Sequence, residues 1–131
     1  MDRVQLAAVG LSVAGVAISI YLTLLHNAGV TPACVTSGPV NCEAVLASRY
    51  AVILGTSVPT SALGIAWFAG SAAIWTLPRG WIQLAWSAAG LLTVLGLVFI
   101  EIVLVGAICL WCTAAHVLVV GLVLIAVTTR R

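Results

Sequence analysis

The chain has 131 residues, of which 63% are hydrophobic and only 6% charged, with a formal net charge of +2. A soluble domain of this size leaves too much surface in water to hide so many apolar side chains, and +2 is too small a charge to indicate nucleic-acid binding. The apolar runs are continuous, whereas a membrane β-barrel would show short alternating segments. We therefore predict a single all-α integral membrane domain over residues 1–131.

Four apolar segments are each long enough to cross a bilayer and predict a four-helix transmembrane bundle. Pro78 and Gly80 indicate a tight turn between the second and third segments, and Gly106 marks the best place for a bend between the third and fourth. One substantial loop, 26–60, joins the first two. The predicted spans cover about 4–25, 61–77, 81–107 and 108–128.

Charge predicts the orientation of the bundle. With four crossings, both termini and the turn at 78–80 lie on one side of the membrane, and the loop 26–60 carries Arg49 alone on the other. The arginine-rich side is expected to be cytoplasmic, so the loop and the start of the fourth span face an extracytoplasmic compartment where disulfides persist. The four arginines on the predicted cytoplasmic side are Arg3, Arg79, Arg130 and Arg131. We therefore predict an inner-membrane protein with both termini in the cytoplasm.

Four cysteines form two pairs on this outer side, Cys34 with Cys42 in the loop and Cys109 with Cys112 at the start of the last span. A C-x-x-C pair at a helix N-terminus is typical of thiols that exchange electrons as a dithiol/disulfide couple. The alternative is a stabilising loop disulfide with two small buried thiols. The spacing is unusual for structural zinc, so no metal is expected.

The second loop cysteine is predicted to lie at a helix start. Asn41 is a suitable N-cap, and an amphipathic helix from Glu43 to about Ile53 would lie along the membrane surface. Cys42 would then be anchored, while Cys34 lies on a more mobile stretch between two prolines. A mobile segment that carries a dithiol can act as an electron shuttle.

The order of these motifs resembles the vitamin K epoxide reductase family, in its bacterial or archaeal branch. The disulfide-forming membrane quinone reductases of the Dsb system also have four helices, but they carry the two kinds of cysteine pair in the reverse order. The resemblance runs from the first to the fourth span. Its elements are Cys34-x7-Cys42, then Ser48-Arg49-Tyr50, Gly55, the stretch 58–64 that enters the second span, and the C-x-x-C that opens the last.

The resemblance implies a role for each cysteine. Cys109 and Cys112 correspond to the active pair beside a quinone, and Cys112, one turn deeper, would face it. Cys109 would exchange with Cys42, and Cys34 would take electrons from an external partner. Ser48 corresponds to a family serine that assists the cysteines by hydrogen bonding.

Further polar and aromatic residues are candidates for quinone binding. Thr60 and Ser61 fall where some family members have an asparagine that contacts the quinone, and a hydroxyl there could donate a hydrogen bond. His116 shares a helix face with both cysteines of the C-x-x-C and could bond a quinone carbonyl or relay protons, or simply bond a neighbouring helix. Trp67, Phe68 and Trp111 could wall the pocket or anchor at the interface.

Glu101 lies near the outer end of the third span and receives no role from the sequence. We expect it to pair with Arg49 or His116, or to reach the membrane interface.

The resemblance implies a membrane thiol oxidoreductase that generates disulfides in a thioredoxin-like partner and passes electrons to a quinone of the ubiquinone, menaquinone or vitamin K type. The partner is expected to be a separate protein, because the sequence ends at Arg131 without a thioredoxin-like domain. Two alternatives stay open. One is reduction of vitamin K quinone or epoxide for its own sake, and the other is a non-enzymatic four-helix membrane protein with structural disulfides.

Overall fold

A computed structural model of the chain describes residues 1–30, 34, 38–53 and 56–129. Gly55, Arg130, Arg131 and most of the stretch around Cys34 lie outside the described residues. The described residues form α-helices, a 3₁₀ turn at Arg49–Ala51 and a π-helical segment at Ile100–Val105, and no strand. The predicted all-α class is confirmed. The α-helices are α1 (Arg3–Ala28), α2 (Cys42–Leu46), α3 (Thr60–Ile74), α4 (Trp81–Phe99) and α5 (Leu110–Thr128).

Three helical stretches of the described chain are long and apolar enough to cross a membrane: Arg3–Ala28, Trp81–Val105 and Leu110–Thr128. Leu92 and Val117 are among the large apolar side chains that stay exposed on them, as lipid-facing positions require. α3 has 15 residues and spans about 22 Å, short of a hydrocarbon core of about 30 Å. The protein is a membrane protein, and the fourth crossing stays a prediction.

Small residues let the long helices approach closely. α1 packs against α3 and α5, and α4 packs against α5. A Cβ added to Gly15 of α1 would lie 2.2 Å from the ring of Phe68 in α3. Ser12 and Ser71 join the same two helices through their hydroxyls at 3.2 Å. Helix association in lipid depends on such close packing and on interhelical hydrogen bonds, because lipid is as apolar as the helices themselves.

Polar side chains fasten one end of the bundle. Asp2 caps α1 by accepting the Gln5 backbone N–H at 2.9 Å, and its carboxylate lies 3.3 Å from the guanidinium of Arg79. The backbone donor and the arginine hold the pKa of Asp2 below its usual value. The Gln5 amide donates to the carbonyls of Trp75 and Leu77. The N-terminus and the 78–80 turn therefore lie at the same end, as the orientation argument requires.

A helix is present after Asn41, but the prediction that a surface helix extends from Glu43 to about Ile53 is wrong. Asn41 caps α2 as predicted, but the helix stops after five residues. The hydroxyl of Ser48 donates to the carbonyl of Val45 at 2.7 Å, and the Ser48 backbone is extended. A side chain that bonds its own backbone in this way competes with the helical ladder, and the chain continues as a 3₁₀ turn instead.

The bend expected near Gly106 is confirmed. Gly106 adopts φ +76°, the left-handed conformation that glycine tolerates best, directly after the π-helical segment. Beyond it, the Ile108 N–H donates to the Pro39 carbonyl at 2.8 Å and its carbonyl accepts from Asn41 at 2.9 Å. This backbone bridge ties the outer loop to the residue that precedes the C-x-x-C.

Candidate functional site

The two cysteine pairs meet at the outer end of the bundle. Cys34 and Cys42 form a disulfide, while Cys109 and Cys112 are free thiols. Cys42 is 1% exposed and Cys109 is 0% exposed, and both belong to one buried cluster against which Cys34 and Cys112 pack. The backbone bridge between the loop and Ile108 fixes this arrangement. The structure therefore brings together the four cysteines that the sequence placed on one side.

Cys109 lies at the N-cap of α5. Its Sγ accepts the backbone N–H of Cys112 at 3.2 Å. The first turn of a helix presents unpaired N–H groups and the positive end of the helix dipole, which stabilise a thiolate over a thiol. Cys109 therefore lies where a helix N-terminus favours a thiolate, and Cys42 is its neighbour in the buried cluster.

A cavity of about 490 Å³ lies beneath the cysteine cluster, between the long helices. Its volume falls within the range of small-molecule sites, and its walls are mostly apolar. Cys34, Cys42, Cys109 and Trp111 are not among the residues that line it. Six of the predicted site residues do line it: Ser48, Thr60, Ser61, Phe68, Cys112 and His116.

Aromatic rings form one wall of the cavity. Trp67 and Trp86 stack with ring centroids 5.9 Å apart, and Phe68 meets Trp67 edge-on at 5.1 Å. Trp111, which the sequence offered as a wall residue, instead packs its ring 4.8 Å from that of Tyr21. Trp86 lies in the third apolar segment and received no role from the sequence, because spacing alone does not show that it stacks on a ring of α3.

The hydroxyls of Thr60 and Ser61 already use their protons within the protein. Thr60 donates to the Tyr50 carbonyl at 3.3 Å. Thr23 donates to the Ser19 carbonyl, so in the 2.8 Å contact between the two hydroxyls Ser61 is the donor to Thr23. A hydroxyl has a single proton, and both side chains therefore offer a ligand only acceptor lone pairs in this arrangement.

Other groups around the cavity retain N–H donors. The indole N–H groups of Trp67 and Trp86 are buried without a hydrogen-bond partner in the described part of the chain. His116 lies one helical turn beyond Cys112 on α5 and lines the cavity beside it. Ser48 also lines the cavity, but its proton is bonded to the Val45 carbonyl. A carbonyl oxygen of a bound molecule could thus find a donor at His116, whereas the indole N–H groups are buried away from the cavity surface.

Glu101 is the residue for which the sequence gave no role. It is 6% exposed, lines the cavity, and accepts the Cys109 N–H on Oε2 at 3.4 Å. The expected pairing with Arg49 or His116 is wrong, because the ion pair among the described residues joins Asp2 to Arg79 and the Arg49 guanidinium bonds the Tyr50 hydroxyl instead. Burial likewise contradicts a position at the interface. The sequence did contain a signal for a functional role, because Glu101 is an ionisable residue within an apolar span and lies eight residues before the C-x-x-C.

The sequence was also compared with models of protein families. The model of the vitamin K epoxide reductase family matches residues 6–127 of the 131. The chain belongs to the vitamin K epoxide reductase family. The match includes both cysteine pairs and all but the ends of the terminal helices, and members of this family are membrane oxidoreductases. Family membership and the converging cysteines therefore support a redox function at this site.

A glycine of α4 supports the aromatic wall and provides a test of the cavity. A Cβ at Gly90 would lie 2.3 Å from the Trp67 ring, which is held between Phe68 and Trp86. We expect Gly90→Ala to push the ring toward the cavity. Overpacking of this kind costs about 1–3 kcal/mol of stability. Thermal unfolding in detergent should show the loss, and the KM for a quinone should rise.

Gly96→Ala is the matched control for this substitution. It makes the same chemical change in the same helix, at a position where an added Cβ meets nothing within 4 Å. We expect it to leave both the unfolding temperature and the quinone KM unchanged. An equal effect of the two substitutions would contradict the assignment of Trp67 to the binding cavity.

Proposed function

We propose that this vitamin K epoxide reductase family protein is a quinone-dependent thiol–disulfide oxidoreductase that generates disulfides in a thioredoxin-like extracytoplasmic partner. The observation that carries the proposal is the position of the four cysteines. Cys42 and Cys109 share one buried cluster, and Cys112 lines the cavity on the other side of that cluster. The pairs are thereby connected to each other and to a small-molecule site.

Electrons would pass through two exchanges. The reduced partner attacks the Cys34–Cys42 disulfide and leaves as a disulfide, so the loop pair becomes a dithiol. Cys42 then attacks Cys109 of an inner disulfide, and Cys34 displaces Cys109 to restore the loop disulfide. The C-x-x-C is left as two thiols, which is the combination of oxidised loop and reduced inner pair seen in the structure.

The last step would transfer two electrons to a quinone in the cavity. Closing the disulfide between Cys109 and Cys112 releases two electrons and two protons, which convert a quinone into its quinol. The cavity fits such a substrate because its walls are apolar and aromatic and because His116 lines it and can donate a hydrogen bond to a carbonyl oxygen. Cys112, which lines the cavity, would be the thiol that meets the quinone.

We further propose an inner-membrane location with both termini in the cytoplasm and all four cysteines on the extracytoplasmic side. Arg3 and Arg79 support it, since the contacts of Asp2 and Gln5 hold the N-terminus and the 78–80 turn at one end. The cysteines lie at the other end, where the loop crosses over the start of α5. The positive-inside rule assigns the arginine-rich end to the cytoplasm.

The proposal is tested with the purified protein, a reduced thioredoxin-like protein and a soluble quinone analogue. We expect the quinone absorbance to fall as the partner acquires its disulfide, with one quinone reduced for each disulfide formed. Parallel reactions with a quinone epoxide distinguish the alternative activity. Reduction of the epoxide without oxidation of any protein thiol would replace disulfide generation by reduction of the vitamin K type molecule itself.

His116 is expected to contribute one hydrogen bond to the quinone. It lines the cavity beyond Cys112 and lies outside the cluster in which the loop exchanges with Cys109. Loss of one such bond costs about 0.5–1.5 kcal/mol, so His116→Leu should lower kcat/KM for quinone about threefold to tenfold. Rapid-mixing measurements should show unchanged exchange between the cysteine pairs. Unaltered quinone kinetics with a lower unfolding temperature would instead mark a structural histidine.

A further inference from the structure

The sequence has three acidic residues, Asp2, Glu43 and Glu101, and of these Glu101 lies within an apolar span. A buried carboxyl in a membrane is costly, and such residues often belong to proton pathways. The ion pair found in the described chain joins Asp2 to Arg79 at the opposite end of the bundle, so it does not neutralise Glu101. The cost of burying this carboxyl therefore calls for a function.

Two roles are possible for the Glu101 carboxyl, proton exchange and fixation of the backbone, and its surroundings favour proton exchange. Its side-chain hydrogen bond to the Cys109 N–H is 3.4 Å long, beyond the usual 2.7–3.2 Å. The bend is held independently by the Glu101 carbonyl, which accepts from Gly106 at 2.8 Å and Ala107 at 3.1 Å. The carboxyl thus adds little to the backbone geometry and retains free capacity for hydrogen bonding.

The π-helical segment places this carboxyl in the cavity. Ile102, Val103 and Leu104 of the segment are exposed on the outside of the bundle, while Glu101 is buried and lines the same cavity as Cys112 and His116. Single π-helical turns inside α-helices are frequent at functional sites. The carboxyl therefore lies between the Cys109 backbone and the space in which a quinone is proposed to bind.

We infer that Glu101 is a proton carrier between the C-x-x-C thiols and the quinone, an inference that rests on the proposed function. Disulfide closure releases two protons and two electrons, and quinone reduction consumes both. The Glu101 carboxylate takes one thiol proton, passes it to a quinone oxygen and returns to its starting form. The second proton is balanced by exchange with water, and His116 keeps its single hydrogen bond to the quinone.

The test compares Glu101→Gln with the wild-type protein, using dithiothreitol as donor and a soluble quinone analogue as acceptor. The amide keeps the size and the acceptor oxygen but cannot take up and release a proton as the carboxylate does. We expect kcat to fall about 100-fold, the contribution of a positioned acid–base group, with an unchanged KM and unfolding temperature. Glu43→Gln is the matched control, because the same change on the exposed face of α2 should leave kcat as it was.

Chemical rescue separates a proton carrier from a structural residue. In Glu101→Ala, added formate should restore part of kcat in proportion to its concentration, while the wild-type rate stays constant. Wild-type kcat in Glu101→Gln, or an impaired Glu101→Ala that formate does not rescue, would overturn the inference and leave the proposed function intact. A wild-type protein that reduces no quinone with any thiol donor would overturn the proposed function and this inference together.

Discussion

Replacement of Cys112 by alanine is expected to reduce quinone turnover to the uncatalysed background, even with a small dithiol as donor. Cys112 lines the cavity, whereas Cys109 is 0% exposed and does not. Without Cys112 no inner disulfide can form, so the quinone has no dithiol from which to take two electrons. Removal of a covalent reaction partner eliminates a whole step, which is a far larger loss than that of one hydrogen bond.

The measurement is the decrease of quinone absorbance with dithiothreitol as the donor. Cys112→Ser serves as a second variant, because its hydroxyl preserves the packing and cannot form the disulfide. Mass spectrometry should still find the Cys34–Cys42 disulfide in both variants, which shows that the outer loop has folded. Turnover within about tenfold of the wild-type rate would mean that electrons leave from Cys109, and would contradict the assignment of Cys112 to the quinone.

Much of the fold could be predicted because it depends on local sequence. Continuous apolar runs indicate membrane helices, Asn41 is a strong N-cap, and Gly106 is the residue that best tolerates the left-handed bend. The order of the four cysteines indicates their family without any coordinates, and the family match over residues 6–127 agrees with it. These features require no knowledge of which helix lies beside which.

The remaining features depend on contacts that the apolar pattern does not show, most of them between distant residues. The loop helix is shorter than expected because the Ser48 hydroxyl prefers a backbone carbonyl, a local competition that the apolar pattern does not show. Glu101 meets the Cys109 N–H across a bend, whereas the sequence offered Arg49, His116 or the membrane interface for it. Likewise, the donor protons of Thr60 and Ser61 are committed to Tyr50 and Thr23, which only the packed bundle brings near.

Replacement of Cys34 by alanine is expected to stop oxidation of a protein partner while turnover with a small dithiol continues. Cys34 is the half-buried member of the loop pair, whereas Cys42 is buried against Cys109. A protein thiol therefore has access to the loop disulfide through Cys34. A small dithiol can enter the cavity and attack the inner disulfide at Cys112, a route that does not involve Cys34.

The same variant should accumulate a bond between Cys42 and Cys109. After quinone oxidises the inner pair, Cys42 attacks Cys109 and frees the Cys112 thiolate. Without a Cys34 thiolate only the reverse attack by Cys112 or an added small dithiol can release the bond, so it persists when no small dithiol is present. Peptide mass spectrometry after alkylation should detect this cross-link, and reduction should remove it. The double variant Cys34→Ala with Cys109→Ala is the control that cannot form it. Equal loss of activity with both donors, without the cross-link, would show that the loop is not an electron shuttle, because the shuttle requires Cys42 and Cys109 to exchange directly.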